Sequence, residues 1–259
     1  MRLKLHISPC PNDTFMFDAL INNRIEHSGI EFDVTYLDIE ELNNSLKQEQ
    51  ADISKCSYAI LNEILERYNL LMSGSALGRG NGPLLVRREG DNTPIKNVAV
   101  PGLHTTACAL MQRLFPKVKN LIPMLFSDIA EAIECGRVDA GVLIHEGRFV
   151  YQKRRLELVA DLGLMWEEQT LLPLPLGAIV AKKELDNSVV QRVDTLLRQS
   201  IEYAMKNPSH SREFIKRHAQ ELDDDVIDKH IALFVNQYSL ELGSVGKCAV
   251  ERLLNRRLF

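Results

Sequence analysis

The feature that most restricts what this chain can fold into is a grammar that occurs twice: a short strand pattern, a polar turn, then a helix pattern. In the first half, residues 2 to 7 alternate polar with apolar. Ile30-Glu31-Phe32-Asp33-Val34-Thr35-Tyr36 alternates more cleanly still, so both read as strands. The helix between them has Asn12 and Asp13 as cap candidates and apolar pairs at Phe15/Ala19, Met16/Leu20 and Phe17/Ile21. Asp38-Ile39-Glu40-Glu41 has the form of a capping box ahead of a second helix that places Leu42 and Leu46 on one face. A strand around Ala51-Asp52-Ile53 follows, then a helix from about Tyr58 to Arg67 with Ser57 placed to cap it.

The pattern returns after residue 90. Val98-Ala99-Val100 reads as a strand, Pro101-Gly102 turns the chain, and Thr105 or Thr106 caps a helix through about Leu114. Leu121 to Leu125 is the next strand, Ser127 caps a helix ending near Gly136, and Asp139 to Ile144 is a strand that ends at His145. Gln50-Ala51-Asp52-Ile53 and Arg137-Val138-Asp139-Ala140 are the matching passages, each leading from a helix into a strand of small residues. Two copies imply two α/β lobes and not a tandem array. The 259 residues suit about two domains.

The apolar runs Gly82 to Val86 and Leu176 to Ala181 read as crossings between the lobes. The expected division is a discontinuous large lobe, 1–86 and 180–259, and a small lobe, 87–179. The stretch from about Asn187 onward reads as a helical tail of three or four segments broken at Asn207-Pro208 and Gly243. A cleft between two such lobes gathers strand C-terminal ends and helix N-termini, which is where a small ligand binds.

Composition removes several classes of function. A net charge of -4, with Lys153-Arg154-Arg155 as the one visible basic cluster, supplies no face for a nucleic-acid backbone. No run approaches the roughly 18 apolar residues of a membrane span, and the N-terminus lacks the hydrophobic region of an export signal. Five scattered cysteines without CxxC spacing suit neither a disulfide framework nor a zinc site, so a cytoplasmic location without metal is expected. The glycine-rich stretch Ser75 to Gly82 lacks both GxxxxGK[ST] and GxGxxG and reads as a connector.

Several residues remain as candidates for chemistry. Asn12 and Asp13, in Ser8-Pro9-Cys10-Pro11-Asn12-Asp13-Thr14-Phe15, are either caps of a rigid turn or polar groups facing the cleft. Lys55-Cys56-Ser57, between a strand and a helix, combines a cation, a hydroxyl and free backbone N–H groups, so it is either an anion seat or a cap serine beside a surface lysine. His104-Thr105-Thr106 occupies the matching place in the second half. Arg79 is a carboxylate clamp or an ordinary loop arginine. Trp166-Glu167-Glu168 faces the cleft or begins a helix. His145, at the end of a strand of small and apolar residues, is placed to act as a base near neutral pH, although a structural histidine fits the same pattern. Cys10 has no identifiable base beside it, and His210, His218 and His230 fall in the helical tail with no metal-binding spacing.

The strings SPCPNDTF (8 to 15), Lys55-Cys56-Ser57-Tyr58, Gly74 to Gly80, His104-Thr105-Thr106-Ala107, Ile144-His145-Glu146 and Leu172 to Ala178 together resemble the 1,4-dihydroxy-6-naphthoate synthase family of the futalosine route to menaquinone. The resemblance covers most of residues 3 to 182. It implies a two-lobed fold like the type II periplasmic binding proteins, conversion of cyclic dehypoxanthine futalosine to 1,4-dihydroxy-6-naphthoate without a cofactor, and a catalytic base at His145. It further implies that Lys55, Cys56, Ser57, Thr105 and Thr106 contact a carboxylated substrate, Cys56 through its backbone because a plain apolar residue is expected there. Two other readings compete: chorismate dehydratase, on the same fold and pathway, and a solute-binding protein that captures a carboxylate without turning it over.

Overall fold

The computed structural model describes residues 1–27, 29–145, 147–219 and 223–259. It contains two sheets. The first comprises β1 (Arg2–Ile7), β2 (Glu31–Tyr36), β3 (Ile53–Ser57), β4 (Tyr68–Leu70), β5 (Ala76–Gly78) and β11 (Leu174–Lys182). The second comprises β6 (Leu84–Arg88), β7 (Asn97–Val100), β8 (Asn120–Pro123), β9 (Ala140–Leu143) and β10 (Leu156–Asp161). In the first sheet the order is β2-β1-β3-β11-β4, with β5 also paired to β11; in the second it is β10-β6-β9-β7-β8. In each sheet the strands at the sequence-internal repeat run parallel, β1 with β2 and β3, and β7 with β8 and β9. The strands that return from the other lobe, β11 and β6, pair antiparallel to them.

Both sheets are covered on both faces, which is why β11 in the first and β9 in the second are nearly all apolar. Alternate residues of β11 divide between two cores: Ile179 and Ala181 pack with the β1 side chains and the tail helix Asn187–Lys206, whereas Ala178 and Val180 pack with Tyr58 and the helix Gly243–Leu254. In the second sheet Val98 and Val100 face one core and Ala99 the other. The tail therefore completes the first lobe. Its helices Asn187–Lys206, Arg212–His218, Asp224–Phe234, Gln237–Leu240 and Gly243–Leu254 are more segments than the breaks at Asn207 and Gly243 suggest. Among the described residues no helix is long and apolar enough to cross a membrane.

The crossings sit a few residues from the expected boundaries of 86 and 180. Leu84 to Val86 already belong to the second sheet, and β11 enters the first sheet at Leu174. The change of lobe on the way out falls at Gly82-Pro83, where Gly82 lies so close to Gly163 of the helix Leu162–Thr170 that a Cβ on Gly82 would stand 2.2 Å from the Gly163 Cα.

Local differences have physical causes. Asp38 does form the capping box, accepting from the Glu40 and Glu41 N–H groups. Asn12 and Asp13 cap nothing: Cys10 is the N-cap, Pro11 opens the helix Pro11–Ile21, and both polar residues lie in its first turn. The stretch expected as one helix from Tyr58 is a short 3-10 turn and the single turn Leu61–Ile64, because the chain must reverse into β4. Ser57 belongs to β3 and makes no cap; Ser127 makes none either. Thr105 is a true N-cap, its hydroxyl accepting from the Cys108 N–H. Trp166 is in the interior of its helix, buried, with its indole N–H donating to the Pro173 carbonyl.

Candidate functional site

A cavity of about 670 Å³, open mouth included, lies between the sheets. Its walls come from both lobes: Ser8, Asn12, Asp13, Lys55 and Ser57 from the first, Thr105, Thr106, His145 and Arg148 from the second. These residues converge because strands β1, β3 and β9 all end at the cavity, and the helices Pro11–Ile21 and Thr106–Leu114 begin there.

On the first-lobe side, polar groups form one connected cluster. Lys55 Nζ donates to Asp13 Oδ1 at 2.6 Å, and the Ser8 hydroxyl donates to Asp13 Oδ2 at 2.7 Å. Both partners of the ion pair are almost wholly withdrawn from water, with side-chain exposures of 6% and 1%. Gly177 on the neighbouring β11 leaves the lane in which the lysine stem runs; a Cβ there would meet Lys55 Cε at 2.7 Å. Ser57 is held at both ends by Asn43, whose amide donates to the serine hydroxyl at 3.1 Å and accepts from the serine N–H at 2.9 Å.

On the second-lobe side, the start of the helix Thr106–Leu114 faces the cavity through Thr106 and Ala107. Thr105 uses its hydroxyl on its own cap, and Thr106 donates across the cleft to the Leu176 carbonyl at 2.8 Å. With the hydroxyls engaged, the first N–H groups of the helix, which have no acceptor within it, are the donors available to an anion. Arg148 adds a cation. Its guanidinium donates to the Gly82 carbonyl at 2.6 Å, stands 3.9 Å from Asp161, and is 12% exposed; burial lowers its pKa.

His145 follows β9 in the left-handed backbone region, φ 52°, an uncommon conformation for a side chain of this size. The turn swings its ring into the cleft. There it meets Phe126 edge-on at 5.1 Å and lies nearly parallel to His230 at 5.9 Å, the planes 14° apart. Withdrawal from water, and secondarily the Lys55 charge, push His145 down to about 4, while Asp13 pulls the other way. The imidazole is therefore neutral at physiological pH and able to accept a proton.

The lobes are drawn together beside this cavity by one cluster of contacts. Glu40 of the helix Ile39–Lys47 accepts from the His104 N–H at 3.1 Å and the His104 ring Nδ1 at 2.6 Å, and Asn43 donates to the His104 carbonyl. Lys47 Nζ lies 2.9 Å from His104 Nε2. An ammonium only donates, so Nε2 is the acceptor and Nδ1 carries the hydrogen given to Glu40.

Of the nine residues expected to act on or contact the substrate, His145, Lys55, Ser57, Thr105, Thr106, Asn12 and Asp13 all line this cavity. Two do not. Cys56 points to the opposite face of β3, fully buried against Tyr58 and Ala178, and burial pushes its thiol up to about 12. Arg79 turns outward, donating to the Leu171 carbonyl at 2.7 Å and pairing with Glu167 at 3.4 Å. Glu146, part of the quoted Ile144-His145-Glu146 string, lies outside the described residues. Sequence reading passed over Arg148 and His230. Arg148 carries a signal in its spacing, three residues past His145 at the start of a helical turn. His230, set aside in the tail, falls on the apolar face of its helix with Val226, Ile227 and Phe234, which is the one sign that it points inward.

The Menaquinone biosynthesis family matches residues 3–257. Relatives named 1,4-dihydroxy-6-naphthoate synthase are 41% identical in Streptomyces coelicolor, over 98% of this chain and 92% of the relative, and 42% identical in Thermus thermophilus, over 97% and 92%. Among solved structures, a protein of Archaeoglobus fulgidus superposes with a TM-score of 0.93 at 29% identity, covering 98% of this chain and 96% of that one. A Candida albicans gene product described as having the generic periplasmic binding protein fold matches with a TM-score of 0.74 at 11% identity, over 98% and 89%, and shows the fold alone. The chain thus has the binding-protein-like fold of two α/β lobes and belongs to the 1,4-dihydroxy-6-naphthoate synthase family of menaquinone biosynthesis.

Proposed function

We infer that the cavity converts cyclic dehypoxanthine futalosine to 1,4-dihydroxy-6-naphthoate as a carbon–carbon lyase, with His145 as the base. The observation that carries this reading is a neutral imidazole lining a cavity between the lobes whose wall also offers a helix N-terminus and the Arg148 guanidinium. A carboxylate bound by those donors is fixed at one point, which leaves the ring system facing His145. His145 takes a proton from a substrate carbon; the electron pair left behind forms a new double bond as the bond to the sugar-derived part breaks, that part leaves with the bonding pair and takes up the proton held on His145, and formation of the aromatic product favours the forward direction. Lobe closure through Glu40 and His104 excludes water while this happens. The Asp13–Lys55 pair is best read as a scaffold that sets the cavity wall and as a polar surface for substrate hydroxyls.

The test offers purified protein cyclic dehypoxanthine futalosine and, separately, chorismate, and follows products by chromatography. A naphthoate product is expected from the first and none from the second. A dehydrated product from chorismate, or tight binding of either compound without turnover, would replace this reading with the dehydratase or the solute-binding one.

A further inference from the structure

His230 has no exposed surface, and its helix, Asp224–Phe234, belongs to the first lobe, whereas His145 belongs to the second. The near-parallel stack of these two rings is thus a contact across the cleft. Phe234 packs against the His230 ring at 4.6 Å.

A chain of partners fixes where the His230 hydrogen sits. Asp13 is a carboxylate held by Lys55 and Ser8. Asn12 Nδ2 donates to Asp13 Oδ1 at 2.9 Å, so the Asn12 amide turns its oxygen the other way, to His230 Nε2 at 2.9 Å. An amide oxygen only accepts. Nε2 therefore carries the hydrogen, and Nδ1 is a bare lone pair, without a hydrogen-bond partner among the described residues. Charging this ring would require an acceptor at Nδ1, and none stands there among the described residues. Burial first, then the His145, Lys55 and Arg148 charges, hold His230 well below the ordinary histidine range.

We propose that His230 is a positioning residue for proton abstraction at His145: a tautomer-locked, uncharged ring that serves as the flat surface on which the His145 imidazole is held in the cavity. This rests on the function inferred above. In the step itself the proton passes from a substrate carbon to His145, the electron pair stays with the substrate, and His230 neither gives nor takes a proton. The arrangement has two consequences. The His145 ring cannot rotate off the line to the substrate while its face is covered, and the cation that forms on it meets the face of a neutral ring and the Asp13 charge as well as the opposing Lys55. Among the described residues, the charged groups that bear on the pair are Asp13 and Lys55 from the first lobe and Arg148 from the second; Phe126 and Phe234 are uncharged.

The test compares His230→Phe, which keeps a flat ring and loses both nitrogens, with His230→Ala, which removes the ring. Two readouts are used: the NMR titration of His145 without substrate, and kcat and KM for cyclic dehypoxanthine futalosine. In the Ala variant water reaches the uncovered face, so the His145 titration moves up by about one unit or more toward 6.5, and kcat falls about 10-fold or more with KM within about twofold. The Phe variant recovers kcat to within about threefold and leaves the titration where it is in the unaltered protein. Should the Ala variant fail to fold, His230→Leu, which fills the volume without a flat face, replaces it in the kcat comparison. Loss of kcat in the Phe variant as large as in the Ala variant, with His145 titrating unchanged, would overturn the proposal by showing that a His230 nitrogen takes part. Unchanged titration and kcat in both variants would overturn it by showing that nothing rests on the stack. If the unaltered protein turns over no substrate, the inferred function fails, and the His145 titrations still decide the role of His230.

Discussion

Burial decides what the His145 imidazole is at neutral pH. A ring pushed down to about 4 is free base throughout the physiological range, so the acid limb of kcat/KM belongs near that value and not near 6.5. Replacing His145 by Ala removes the acceptor and leaves packing largely intact; turnover is expected to drop about 100-fold or more with an unchanged circular dichroism spectrum. Near-normal turnover in that variant would take His145 out of the mechanism. The Asp13–Lys55 pair gives a second expectation at this scale. Asp13→Asn strands a buried ammonium, which costs about 3–5 kcal/mol and appears as a lower Tm. Adding Lys55→Met removes the stranded charge and is expected to restore much of the stability but not the activity. An Asp13→Asn protein as stable as its parent would mean that the pair contributes nothing to the fold.

Elements bring these side chains together, and their legibility in sequence depended on whether their partners were local. The alternation in residues 2 to 7 and 31 to 36 and the capping box at Asp38 are local signals, and β1, β2 and the helix Ile39–Lys47 match them. Ser57 misled because a hydroxyl at a strand end looks like a cap, whereas β3 runs through it to pair with Gly177, and Asn43 satisfies its polar groups. Most of the cavity wall was visible as polar residues at strand ends. His230 was not, since its partner Asn12 lies 218 residues away and no spacing rule reaches that far. Arg79 looked like a clamp only because sequence cannot say which way a loop side chain turns. Gly177 tests how an element guards the site. In Gly177→Ala the new methyl would crowd the Lys55 stem, and the movable end of that side chain must shift. The expected result is a fall in kcat/KM of about 10-fold, since small misplacements near a reacting centre cost that much or more, with only a modest drop in Tm. Kinetics equal to those of the parent would show that the position of Lys55 does not matter to the reaction.

At the scale of the whole molecule, histidines withdrawn from water tie stability to pH, two of them meeting across the cleft and one lying within the first lobe. His145 is stacked on His230 across the cleft, and within the first lobe the buried His6 ring of β1 lies 2.8 Å from the Ser45 hydroxyl. Burial lowers the pKa of His6, His145 and His230 below 6.5, with Lys4 adding to the effect at His6. The sign of the linkage follows. Between 6.5 and the lowered values the unfolded chain binds protons that the fold excludes, so stability rises with pH through that window and falls as pH drops from 6.5 toward 4. Each such group contributes a slope approaching about 1.4 kcal/mol per pH unit while within its window. Thermal unfolding followed from pH 7.5 to 4.5 should show a Tm that is nearly level above about 7 and declines steeply below about 6.5. His230→Phe removes one of the three groups, so its Tm, lower at neutral pH for want of the Asn12 hydrogen bond, should decline less steeply with acid. A parent Tm that stays level from pH 6.5 to 5 would mean that these rings carry protons inside the fold, and with that the neutral base at His145 and the neutral stack beneath it would both be lost.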